Sequence, residues 1–486
     1  MSLEESLIPK EAEQRIERYD EEQRVTWESY TGEMKRICVV AGPMVVVLSS
    51  QFLLQIVSTM MIGHLGELYL SSTALAISLA GVTGFSFLMG MASGLETICG
   101  QAFGAKQYNK IGTQTYAAIF SLILVSIVLS FLWINMETIL VFIGQDPLIA
   151  REAGRFIIWL LPALFANAIL QPLIKYFQMQ SMLLPMFLSS CITIGVHIPL
   201  CWALVFKSGL NNIGGALAIG ISNWANVIFL GLYMYYSSTC EKTRAPITLE
   251  LFHGIGEFFR YAIPSAVMVC LEWWSYELLV LLSGLLPNPQ LETSVLSVCL
   301  NTITTLYTII FAFGAAASTR VSNELGAGNP HVARVAVLAA LSLAVMETCV
   351  VSGTLFAFRR VYGYVFSNDK EVIDYVTLMA PLLCISIIMD GIQGVVTGIA
   401  RGCGWQHLGV YVNLGAFYLC GIPVAAALAF WVHLGGKGLW IGIQVGAFVQ
   451  NVVLCVITSR INWGQQAVKA RNRLQDDESS TENRLV

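Results

Sequence analysis

IPSAVMVCLEWWSYELLVLLSG, residues 263–284, decides how the chain is read. Its apolar run begins near Phe258. At a rise of about 1.5 Å per residue, Glu272 falls about 21 Å along a helix, close to the centre of a hydrocarbon core about 30 Å thick. An Arg, Lys or Asp at that depth costs roughly 2.5 to 3.5 kcal/mol on insertion scales. An acid inside a span normally faces a cavity, a partner or an ion path, so the functional reading of Glu272 outweighs the structural one, a protonated carboxyl bonded to a neighbouring helix.

The surrounding sequence supports a span. Of 486 residues 56% are hydrophobic and 12% charged, against about 25% charged in an ordinary soluble domain. Eleven further apolar runs of spanning length lie between about residues 36 and 460, which predicts an all-α integral membrane protein of twelve transmembrane helices. An even number puts both termini on one side. With that side cytosolic, 20 of the 27 Lys and Arg lie on it, as the positive-inside rule requires. The chain divides into a disordered cytosolic tail (1–31), a six-helix lobe (32–237), a cytosolic linker (238–257), a second six-helix lobe (258–461) and a disordered tail (462–486). No apolar signal segment precedes the first span. The twelve cysteines fall mostly inside spans and form no zinc spacing. His197, His407 and His433 likewise lack ligand spacing, so neither metal nor cofactor is expected, and no nucleic acid partner.

The two lobes read as copies. GQAFGAKQY at Gly100 aligns with SNELGAGNP at Ser322, and GALAIGI at Gly215 with GKGLWIGI near Gly436; Pro43 aligns with Pro264 and Pro162 with Pro381. Six spans per copy give both lobes the same orientation, related by an axis along the membrane normal, with binding expected at their interface near the midplane. Eight residues after Pro264 comes Glu272, and eight after Pro43 comes Gln51. Nine after Pro381 comes Asp390, and nine after Pro162 comes Gln171. One lobe carries acids where the other carries amides of similar shape. Either side chain serves a structural hydrogen bond, but only the acid takes up and releases a proton. Asp390 enters from the opposite face to about the same depth as Glu272, so the two carboxyls read as a proton site.

Other polar residues in the spans carry weaker signals. Asn301 and Tyr307 are candidate hydrogen-bond partners of the acids, with interhelical glue as the alternative. Glu277 stands about 140° round the helix from Glu272 and is expected to face elsewhere. Glu347, deep in the ninth span, has no assignable partner. Lys175 and Glu96 lie near cytosolic helix ends, where snorkelling or capping explains them. Trp273 and Trp274 line a cavity for flat organic molecules or pack against lipid and core.

MMIGHLGELYL, GLETICGQAFGAKQY, LEWWSYE, SVCLNT, RVSNELGAGNP and GIARGCGWQ together resemble the plant branch of the multidrug and toxic compound extrusion family, from about Gly32 to Ile461. The resemblance implies two six-helix lobes that export organic compounds in exchange for ions by alternating exposure of a central cavity. It places proton-linked acids at Glu272 and Asp390, with Asn301 beside them. Many prokaryotic members carry acids in the first helix, where this chain has Gln51. The expected function is therefore a proton-coupled antiporter, not an enzyme, exporting xenobiotics or secondary metabolites such as alkaloids and flavonoids. Helix bending is expected at Pro264, with Pro43 as its counterpart. The partners are small organic substrates, protons and the lipid bilayer, and the chain is expected to act as a monomer in the plasma or vacuolar membrane. A membrane-embedded enzyme and a channel are the competing classes; aspartate-rich metal motifs and filter-like segments are absent from the sequence.

Overall fold

The computed structural model describes residues 26–246, 248, 251–365 and 370–485. Among these residues twelve helices are long and apolar enough to cross a membrane. In the first lobe they are α1 (Trp27–Gly63), α2 (Glu67–Gly104), α3 (Tyr108–Ile134), α4 (Pro147–Met179), α5 (Leu183–Lys207) and α6 (Asn212–Tyr236). In the second they are α7 (Leu251–Ser283), α8 (Pro289–Ala327), α9 (Pro330–Tyr362), α10 (Lys370–Cys403), α11 (Gln406–Trp431) and α12 (Gly435–Ser459). Proline opens α4, α8 and α9, where its missing N–H is not needed. Pro43, Pro162, Pro264 and Pro381 all sit inside helices, as membrane spans allow when neighbours satisfy the freed carbonyls.

Three expected boundaries shift. The helix of α1 starts at Trp27, inside the expected tail, because the Thr26 hydroxyl caps it by accepting from the Ser29 N–H; residues 1–25 of that tail lie outside the described residues. The expected linker gives up its last seven residues, 251–257, to α7. There Glu257 accepts from Gln114 at 2.5 Å and pairs with Lys110 at 3.1 Å, which docks the start of α7 onto α3. The C-terminal tail, read as disordered, contains a helix, α13 (Trp463–Leu485), in addition to the twelve spans. Mixed charge hid its pattern: Ala467, Ala470 and Leu474 share one face and are buried. Arg473 donates to the carbonyl of Cys403 at 3.0 Å.

The duplication is visible in the contacts. A Cβ on Gly104 would collide with the carbonyl oxygen of Asn323, and one on Gly326 with that of Gln101. Gly104 and Gly326 are equivalent in the repeat, as are Gln101 and Asn323, so the two collisions are one contact seen from both lobes. The hydrogen bonds repeat it: Gln101 donates to the Gly402 carbonyl at 3.1 Å and Asn323 to the Met179 carbonyl at 3.1 Å. Glycine is required here because the two backbones touch.

These contacts lie on the face bearing the start of α1 and the helix α13, called here the terminal face. One apolar core runs through the first lobe and crosses into α7, α8, α9, α10 and α13 on that side, while a second core is built from the second lobe alone, in the opposite half. The lobes are thus joined on the terminal face and separate beyond it, leaving room between them.

Candidate functional site

That room is a cavity of about 680 Å³ walled by both lobes, and Glu272 and Asp390 line it. Both acids are nearly closed off, at 5% and 2% exposure. Each is bonded by a tyrosine from a different helix. Tyr307 of α8 donates to Glu272 Oε1 at 3.0 Å, and Tyr276 of α7 donates to Asp390 Oδ1 at 3.4 Å. Tyr276 lies one turn beyond Glu272, so α7 contributes one acid and holds the other. Gln393 of α10 lies against the Glu272 carboxyl. Two tyrosine–carboxyl pairs, supplied by three helices, thus stand on the same cavity wall in an apolar lobe, where unpaired charge is expensive.

Across the cavity the equivalent residues bond among themselves. Gln171 donates to Gln51 Oε1 at 3.3 Å and to Asn167 Oδ1 at 3.0 Å. Among the described residues the first-lobe wall carries no titrating group, whereas the second-lobe wall carries Glu272 and Asp390 opposite the amides, with Glu277 and the two tyrosines beside them. Asn301 stands on the cavity wall and makes no hydrogen bond to either acid, unlike Tyr307. Trp273 also lines the cavity and meets Tyr307 edge to face with ring centres 6.3 Å apart. Trp274 points away and donates to the Val82 carbonyl at 3.3 Å. Val82 belongs to a π-helical turn in α2, Gly81–Phe85, a local widening that frees backbone acceptors and is common at functional sites.

Two sequence expectations are corrected. Glu277 does face the cavity, because the space between the lobes is wider than one face of α7. Glu96 and Lys175 neither snorkel nor cap. They are buried with Arg401: Lys175 Nζ lies 2.5 Å from Glu96 Oε1 and Arg401 Nε 2.8 Å from Glu96 Oε2, at 3%, 0% and 1% side-chain exposure. Both cations sit under the ring of Phe311, at 5.8 and 5.2 Å from its centre, and Phe311 is part of the cavity wall. Glu347 is apart from the cavity, with its Oε2 buried and unbonded. His197 packs between Ser58 and Ser222 at 3.2 and 2.9 Å. Tyr276, Gln393 and Arg401 were missed in the sequence. Their signal was present: Tyr276 follows Glu272 by four residues, and Arg401 follows Asp390 by eleven, three helical turns on the same face.

A duplicated twelve-helix bundle with a largely apolar cavity between its lobes, carrying a few buried acids and amides, defines a membrane transporter of small molecules. The chain belongs to the MatE family, whose model matches it twice, at residues 43–203 and 264–427, once per lobe. It is similar to Protein DETOXIFICATION 12 of Arabidopsis thaliana, 60% identical over 457 residues that cover 93% of this chain and 95% of the relative. Protein DETOXIFICATION 10 of the same plant is 57% identical, with 94% of each chain covered. The crystal structure of the eukaryotic MATE transporter AtDTX14 superposes with a TM-score of 0.89 at 56% identity, covering 92% of this chain and 99% of that one. A multidrug resistance MATE transporter solved in an outward-facing conformation shares the fold at 15% identity, with a TM-score of 0.79 over 91% of this chain and 97% of that chain. The protein is therefore a multi-pass MATE transporter and not an enzyme.

Proposed function

We propose that the protein is a proton-coupled antiporter that exports organic compounds from the cytosol, with Glu272 and Asp390 as the coupling site. The observation that carries this reading is the asymmetry of the cavity: two buried, tyrosine-bonded carboxyls on one wall and an amide pair at the equivalent positions of the other. Two negative charges in one buried site repel, so a proton taken up by one relieves both. Neutralising the pair changes what Tyr276 and Tyr307 bond, and α7 has Pro264 eight residues before Glu272 as a place to bend. Bending narrows the cavity and expels the substrate; loss of the proton toward the cytosol restores the starting state.

The closed terminal face and the cavity in the opposite half correspond to an outward-facing state, with both termini in the cytosol. Aromatic and apolar walls beside the acids suit xenobiotics or secondary metabolites such as alkaloids and flavonoids. The site is complete within one chain, consistent with a monomer. Either the plasma or the vacuolar membrane accepts this orientation. The test is export by purified protein in liposomes across an imposed pH gradient, with a panel of alkaloids, flavonoids and cationic dyes. Transport that follows the gradient and stops with a protonophore supports the reading; export indifferent to the gradient refutes it.

A further inference from the structure

Residues 390, 393, 397 and 401 of α10 fall within an arc of about 80°, so Asp390, Gln393, Thr397 and Arg401 form one stripe about 17 Å long. It leads from the acids toward the terminal face. All four are at most 3% exposed. Yet Asp390 Oδ2, both ends of the Gln393 amide, Thr397 Oγ1 and Arg401 Nη2 complete no hydrogen bond with the described protein atoms. Buried polar atoms are rarely left so, and a consecutive row of them is a route that water fills. Thr397 is the telling member. Thr302, Thr319, Thr348 and Thr458 each donate to the carbonyl four residues back, the usual resort of a threonine inside a helix; Thr397 does not.

At the far end stands the ion cluster. Glu96 and Lys175 both belong to the first lobe and neutralise each other, while Arg401 reaches them from the second lobe and adds one positive charge. A fixed cation on a water file excludes protons, as arginine does in water-selective pores. Beyond it the polar chain continues: the Thr97 hydroxyl donates to the Arg401 carbonyl and accepts from Gln406 at 2.6 Å. Arg473 of α13 then covers Gln101 and Cys403.

We propose that this stripe of α10 is the hydrated path by which the proton leaves Glu272 and Asp390 toward the terminal face, and that Arg401, anchored across the lobe seam by Glu96, is its electrostatic plug while that face is closed. The inference rests on the proton-coupled reading. A carboxyl O–H gives its proton to the first water, each water passes one on, and the last releases one to the solution; no other reactant is needed. When the lobes part on that face, Glu96 moves with its own lobe and the anchor of Arg401 is lost.

The test needs no substrate. Purified protein in liposomes with a trapped pH indicator is given a pH gradient, and its decay is followed. Arg401→Gln keeps the neutral Glu96–Lys175 pair and is expected to discharge the gradient at least tenfold faster than wild type. Arg401→Lys keeps the charge and is expected to stay tight, and adding Thr397→Val to Arg401→Gln is expected to return the leak toward wild type. A tight Arg401→Gln protein, or a leak indifferent to Thr397→Val, overturns the proposal. Thr397→Val alone changes one hydroxyl at constant shape. It is expected to slow gradient-driven export several-fold and leave substrate–substrate exchange unchanged; equal export rates also overturn the path. Wild-type export indifferent to the gradient, beside an Arg401→Gln protein that leaks through Thr397, removes the coupling reading and leaves the path standing.

Discussion

Replacing Glu96 by Gln removes the anion that both Lys175 and Arg401 share, at 2.5 and 2.8 Å, in a site where no member exceeds 3% exposure. Breaking a buried ion pair by deleting one partner costs about 3 to 5 kcal/mol, because the remaining charge stays buried without compensation. Glu96→Gln strands two cations on two lobes and belongs at the upper end of that range. Lys175→Met and Arg401→Gln each leave one clean pair with Glu96 and cost less. At roughly 2 °C per kcal/mol for a large chain, Glu96→Gln is expected to lower the melting temperature of detergent-purified protein by about 8 to 10 °C, clearly more than either cation variant. Thermal melts followed by fluorescence-detected size exclusion measure the order. If Glu96→Gln melts no lower than Arg401→Gln, the three charges do not share one buried site and the reasoning fails.

Two further outcomes follow from the lobe geometry. Gln51→Glu places a third acid beside Gln171, yet Tyr276 and Tyr307 bond only the acids of the other lobe; export is expected to stay coupled, and full rescue of Glu272→Gln by this change would contradict the asymmetry. Gly326→Val drives a side chain into the Gln101 carbonyl and is expected to hold the terminal face apart. Cys403, at 1% exposure in the closed state, should then react with a water-soluble thiol reagent, and unchanged protection would contradict the contact.

The span count, the duplication and the two acids were legible because each rests on a signal within one helix: a long apolar run, a fixed offset, a carboxyl at mid-depth. Gly104 and Gly326 were visible as a repeated motif, but that each touches the other's helix backbone required the lobes to be placed. The Glu96, Lys175 and Arg401 cluster was not legible. Its members come from α2, α4 and α10, and each alone looks like an ordinary charge near a helix end. Glu277 was misplaced because helical angle says which way a residue points on its own helix and nothing about the width of the space around it. α13 was missed because its small buried stripe of Ala467, Ala470 and Leu474 is diluted by charges on the other faces, and composition averages that stripe away.

The most direct test of the coupling site follows proton and substrate in the same vesicles. Wild type, Glu272→Gln and Asp390→Asn are reconstituted at matched amounts, with a pH indicator inside and a fluorescent organic substrate as the second signal. The account predicts that wild type moves the two in opposite directions. Each variant, folded and monodisperse, is expected to lose gradient-driven export together with the substrate-linked pH change. Full export by either variant with its proton movement intact would remove that residue from the coupling site.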